Sequence, residues 1–116
     1  MFIDPEDKQI AAAVSCGADA IELHTGAYAE AGLAGNVDKM SAELTRIRQA
    51  VLTAKDANCH MLINAGHGLT RDNVKAIAQI DGIYELNIGH ALIADAIFVG
   101  LEQAVIMMKS AMHQSV

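Results

Sequence analysis

Aromatic residues are nearly absent from this chain. There is no Trp, and only two Tyr and two Phe occur among 116 residues. A core must then be filled by aliphatic side chains, and Ala, Ile, Leu and Val dominate an apolar content of 53%. That is the composition of an α/β protein whose strands are buried on both faces. Basic residues are also scarce: 8 Lys and Arg stand against 14 Asp and Glu, a net charge of −6. Such a chain lacks the basic face that a phosphodiester backbone requires, which argues against a nucleic-acid partner. No apolar run is long enough to span a bilayer, and no secretory leader is expected. The two cysteines, Cys16 and Cys59, have no CxxC spacing. Each lies in an apolar context, and both are expected to be buried free thiols in a reducing cytoplasm.

What is present reads as repeated strand–helix units in one small domain covering 1–116. Phe2-Ile3-Asp4 has the character of a strand end, with Asp4 able to cap a helix whose first position suits Pro5. Ile10, Ala11, Ala13 and Val14 form the apolar stripe of that helix, and Gly17 ends it. A short strand, Ala20 to His24, precedes a Gly-containing loop running from Thr25 to about Asn36. The clearest periodicity follows, with Val37, Met40, Leu44, Ile47, Val51 and Ala54 on one helical face. Next come a strand from His60 to Asn64, a helix over about Thr70 to Gln79, and a strand from Tyr84 to Ile88. A single long helix, about Ala91 to Met112, carries Ile93, Ile97, Leu101, Ala104 and Met108 inward. Alternating βα units imply parallel strands and right-handed crossovers. Four such units make either a small open sheet or half of an eight-stranded (β/α) barrel of about 250 residues.

In both architectures ligands bind at the carboxyl ends of the strands. The segment Ile63-Asn64-Ala65-Gly66-His67-Gly68-Leu69 places a histidine between two glycines at such an end. The glycines let backbone amides approach a ligand, and the imidazole exchanges protons near neutral pH. Gly68, at a helix entrance, suits an anion, and Gly89-His90 repeats that logic one unit later. Glu22 and His24, two apart, share a strand face. Buried without a partner, Glu22 would be costly, so it faces either a polar interior or a salt bridge. His24 can serve the site or simply hydrogen-bond a loop, whereas His60 and His113 read as surface or strand-start residues. Met107, Met108 and Met112 read as core or as an oligomer contact. Zinc held by Glu22, His24, His67 and His90 is disfavoured, since no HxH or HExxH spacing occurs. Together these features suggest a site for a phosphorylated small molecule.

The strings Glu22-Leu23-His24-Thr25-Gly26-Ala27-Tyr28-Ala29, Asn64-Ala65-Gly66-His67-Gly68-Leu69-Thr70, Asn73-Val74-Lys75-Ala76-Ile77-Ala78 and Glu85-Leu86-Asn87-Ile88-Gly89-His90-Ala91 resemble pyridoxine 5′-phosphate synthase, the PdxJ family. The likeness runs over nearly the whole chain, in order and at fitting separations. It implies a (β/α)8 barrel of the TIM type, of which this chain would supply about four C-terminal units, a half-barrel. It implies condensation of 1-deoxy-D-xylulose 5-phosphate with 3-amino-2-oxopropyl phosphate to give pyridoxine 5′-phosphate, inorganic phosphate and water, in vitamin B6 biosynthesis. No metal and no organic cofactor is implied, and the implied assembly is a homo-oligomer, an octamer in the well-known case. Residue by residue, His67 matches the family's proton donor and Gly68 a substrate-binding glycine. Gly89 and His90 match a phosphate-binding pair, and Glu22 matches the carboxylate that stabilises the transition state. The family's N-terminal half, with an Asn, an Arg, a His and a Glu of the site, has no counterpart here. The sequence therefore corresponds either to a piece of a longer protein or to a half-barrel that binds phosphate and self-associates without turnover. A lone half-barrel would expose a strand edge and inner apolar surface.

Overall fold

The computed structural model describes residues 2–113. Four strands, β1 (Phe2–Ile3), β2 (Ala20–His24), β3 (Leu62–Gly66) and β4 (Glu85–Asn87), form one parallel sheet in chain order. Helix α1 (Asp7–Ser15) joins β1 to β2, while α2 (Gly26–Leu33) and α3 (Val37–Ala57) join β2 to β3. Helix α4 (Val74–Ala78) leads to β4, and α5 (His90–Val99) and α6 (Leu101–His113) follow.

The period of two along β2 sets the layering. Ile21 and Leu23 are buried, whereas Ala20, Glu22 and His24 on the other face are half-buried. Ile63 and Ala65 continue the buried face on β3. Onto it pack Ile10 and Ala13 of α1, Ile47, Ala50, Val51 and Ala54 of α3, Val74 and Ile77 of α4 and Met108 of α6. The opposite face stays open, with Phe2 55% and Leu62 40% exposed beside exposed Glu85 and Asn87. The register aligns Phe2, Glu22, Asn64 and Glu85 in one row across that face, and His24, Gly66 and Asn87 in the next.

Several expectations need correction. Helix α1 starts at Asp7 with Glu6 as its cap residue, not at Asp4-Pro5. The chain first turns tightly there: the Asp4 carbonyl accepts the Glu6 N–H, and the Asp4 N–H donates to Gln9 Oε1. The segment after Thr25 is the helix α2 rather than a loop; its alanines gave no apolar stripe, yet Tyr28, Ala29 and Ala31 are buried. Strand β3 runs two residues further than expected, because Asn58 to Met61 form a turn in which the His60 N–H donates to Asn58 Oδ1. Helix α4 begins only at Val74, after a turn at Arg71 to Asn73, so Gly68 lies in a turn and not at a helix entrance. The long final helix is two helices, split at Gly100, whose φ of 85° and ψ of 154° are accessible to glycine alone. The expected single inward stripe is interrupted there: Ile93 and Ile97 on α5 and Leu101 at the start of α6 are exposed, while Ala104 and Met108 of α6 remain buried. Val37, too, is exposed at the start of α3. Cys16 and Cys59 are free but exposed, not buried; one stands at the C-terminus of α1 and the other in the turn before β3.

Candidate active site

The carboxyl ends of β2, β3 and β4 meet because the strands are adjacent and parallel. Around them opens a cleft of about 540 Å³, lined among others by Glu22, His67, Gly68, Asn87, Gly89 and His90. All five residues singled out by sequence as site residues therefore reach one cavity. Glu22 projects from the open face of β2, beside Asn87 of β4, whose amide Nδ2 donates to Glu22 Oε1. That bond links the carboxylate to the neighbouring strand at the edge of the cleft that Glu22 lines. Gly66 is what lets the two approach: a Cβ there would lie 2.8 Å from the Asn87 carbonyl oxygen and 3.3 Å from Glu22 Cδ.

His67 has a φ of 92°, the only positive φ at a non-glycine among the described residues, and Gly68 follows at 75°. Such a backbone costs of order 1–3 kcal/mol and persists only where its surroundings enforce it. Here they do so from three sides. Thr25 Oγ1 lies 2.8 Å from the Gly66 carbonyl oxygen and 2.7 Å from that of His67. Asn73 Nδ2 donates to the Gly68 carbonyl, and Asn73 Oδ1 accepts from the Thr70 N–H. Tyr28 in turn donates its hydroxyl to the Asn73 carbonyl at 2.7 Å. Burial raises the Tyr28 phenol above its ordinary value of 10.0, which keeps it a neutral donor.

The imidazole of His67 stacks on that of His24, centroids 4.4 Å apart, and Phe2 meets His24 edge-on at 5.0 Å. His24 Nδ1 accepts the Gly26 N–H at 3.1 Å, so in its neutral form His24 carries its proton on Nε2. His24 thus bonds the first residue of α2, in the segment expected to be a loop, and it also forms the floor under His67. Asn64, expected at a strand end, sits mid-strand between Glu22 and Glu85, and its Oδ1 is buried with no partner among the described residues. His60 and His113 are exposed, and neither lines the cleft.

Gly89 and His90 begin α5, a helix of ten residues with no side-chain cap at its N-terminus. Its first N–H groups have no intrahelical partner, and the helix dipole there favours an anion. A Cβ at Gly89 would meet nothing within 4 Å, so the space beside its backbone is open to a ligand. No Lys or Arg lines the cleft. The nearby Arg71 is held 2.9 Å from Asp95 of α5, which ties the turn after β3 to the helix whose N-terminus faces the cleft. Among the described residues, no three His, Cys, Asp or Glu side chains converge as a metal site would require.

Sequence reasoning missed Thr25, Tyr28 and Asn73. Thr25 and Tyr28 act on backbone carbonyls more than forty positions away, which no spacing signals, whereas Asn73 bonds locally, to the Gly68 carbonyl and the Thr70 N–H. Residues 1–114 match the family described as pyridoxal phosphate biosynthesis protein PdxJ. Over 110 residues the chain is 52% identical to the pyridoxine 5′-phosphate synthase of Alcanivorax borkumensis, covering 95% of this chain and 43% of that protein. The chain thus spans less than half the length of the relative it matches. With its strand-end motifs gathered on one cleft and the match running almost end to end, the chain belongs to the PdxJ family.

Proposed function

We propose that this chain carries the C-terminal part of a pyridoxine 5′-phosphate synthase site, within a (β/α)8 barrel. One observation carries the reading: Glu22, His67, Gly68, Gly89 and His90 line a single cleft at the carboxyl ends of a parallel sheet. The consecutive strand order and the helices gathered on one face support a barrel segment over a doubly wound sheet, which is covered on both faces. The row of Phe2, Glu22, Asn64 and Glu85 would then face the barrel interior.

The substrates of this reading are the two phosphorylated compounds named above, joined through an imine with loss of phosphate and water. His67 acts as proton donor, fixed by its stack on His24 and by the strained turn. Glu22, bonded by Asn87, faces developing iminium charge with its carboxylate. The Gly89-His90 helix start and the backbone N–H at the left-handed turn of Gly68 bind phosphate, which adds no titratable charge. The exposed free thiols fit a reducing cytoplasm. The apolar surface left on α5 by Ile93, Ile97 and Phe98 supports assembly into a homo-oligomer.

A second reading is favoured by the open inner face of the sheet: a half-barrel that self-associates and binds phosphate without turnover. The two are separated by assaying pyridoxine 5′-phosphate formation from both substrates, for the chain alone and mixed with the rest of the Alcanivorax relative. Product that disappears in His67→Asn, with affinity for inorganic phosphate kept within about twofold, supports the synthase. Thermal stabilisation by phosphate with no product under either condition supports the second reading and removes the first.

A further inference from the structure

Apart from the phenol of Tyr28, Thr25 is the only fully buried polar side chain among the described residues. It occupies the N-cap position of α2, where a threonine ordinarily accepts a hydrogen bond from the first turn of its own helix. No such cap bond forms here. The hydroxyl instead faces the carbonyl oxygens of Gly66 and His67, at 2.8 and 2.7 Å, while the Thr25 N–H donates to Gly66 at 2.9 Å. In extended backbone, successive carbonyls point to opposite sides. Two of them can converge on one hydroxyl only if the chain between them turns, and the turn is the φ of 92° at His67. The hydrogen bond and the strain are therefore one feature: the hydroxyl's hydrogen is shared by two acceptors that the strained conformation brings together.

We propose that Thr25 is a positioning residue, whose hydroxyl holds the His67 backbone in its left-handed conformation and so keeps the imidazole in the cleft, stacked on His24. The proposal rests on the reading of His67 as proton donor, but its structural half stands apart from activity. Thr25→Val keeps the shape of the side chain and removes the hydroxyl, whereas Thr25→Ser keeps the hydroxyl.

The experiment compares both variants with the parent in two measurements. In steady-state synthesis of pyridoxine 5′-phosphate, Thr25→Val is expected to lose about a hundredfold in kcat with KM within about twofold, and Thr25→Ser to recover most of that loss. In proton NMR, the ring-current shift that stacking on His24 gives the His67 ring protons is expected to vanish in Thr25→Val and return in Thr25→Ser. Inorganic phosphate should bind both variants as it binds the parent. A Thr25→Val protein that keeps kcat and the ring shift overturns the proposal. So does one in which kcat, KM and phosphate affinity all deteriorate together, since that is general loss of structure. If Thr25→Val does not fold, Thr25→Ala takes its place in the NMR comparison, and a retained ring shift there overturns the proposal. If the parent makes no product even when mixed with the rest of the relative, the synthase reading fails, while the ring shifts still decide the role of Thr25.

Discussion

Replacing Gly66 by alanine tests whether the close approach of β3 and β4 at the site is as tight as it looks. Gly66 ends β3 opposite Asn87, in ordinary backbone geometry, so only space is at stake. The added Cβ would stand 2.8 Å from the Asn87 carbonyl oxygen, 3.2 Å from Asn87 Cβ and 3.3 Å from Glu22 Cδ. Two of these atoms belong to the neighbouring strand and cannot swing away like the tip of a flexible side chain. Overpacking of this kind costs about 1–3 kcal/mol. The smaller conformational freedom of alanine in the unfolded chain returns about 0.4–1 kcal/mol. The net loss is about 1–2 kcal/mol, or a fall in Tm of roughly 4–8 °C for a chain of this size. Gly32→Ala is the control. A Cβ there meets only the flexible end of Met40, at 3.2 Å, and alanine is the better helix former by about 1 kcal/mol. Thermal melts followed by circular dichroism should show Gly66→Ala falling and Gly32→Ala level or higher. A Gly66→Ala protein as stable as its parent would refute the claim that the strands are in contact there.

The remaining predictions follow from other single contacts. Gly89→Val places a branched side chain where the backbone is open, and titration calorimetry should find inorganic phosphate bound roughly tenfold more weakly or worse; unchanged affinity would put the anion elsewhere. Tyr28→Phe leaves the Asn73 carbonyl without its donor and should cost about 1–2 kcal/mol in urea unfolding. The same residue has a pH signature. Burial raises its pKa, so above pH 10.0 the unfolded chain releases the phenolic proton before the folded one does. The stability it contributes is full below that pH and lost as pH rises through the raised value. Tm followed upward from about pH 8 should therefore fall less steeply in Tyr28→Phe than in the parent; parallel curves would contradict the burial. Phe98, 87% exposed on α5, should tolerate Asp within about 0.5 kcal/mol of monomer stability while sedimentation shows weaker self-association. An unaltered assembly mass would place the contact on another surface.

Much of the fold was legible in the sequence where local chemistry decides alone. The alternation of Ile21 and Leu23 with Glu22 and His24 fixed both the strand and its two faces. The stripe from Ile47 to Ala54 marked the buried side of α3, and Gly17 marked the end of α1. The grouping of Glu22, His67, Gly68, Gly89 and His90 followed too, because parallel strands in chain order put all their carboxyl ends on one rim.

Tertiary structure decided what depends on partners far apart in the chain. Helix α2 owes its place to Tyr28 entering the core, which no apolar stripe announced. The fate of α5 depended on one backbone angle at Gly100, and a glycine within an apolar run is compatible with either a continuous helix or a break. The exposure of Cys16 and Cys59 followed from where two turns fell, which their apolar neighbours could not reveal. Most of all, the sequence located His67 but not its conformation. Residue types and spacings report the preferences of neighbours, whereas a histidine held at positive φ is maintained by Thr25 and His24, more than forty positions away. Contacts across that distance in the chain exist only once the sheet has assembled.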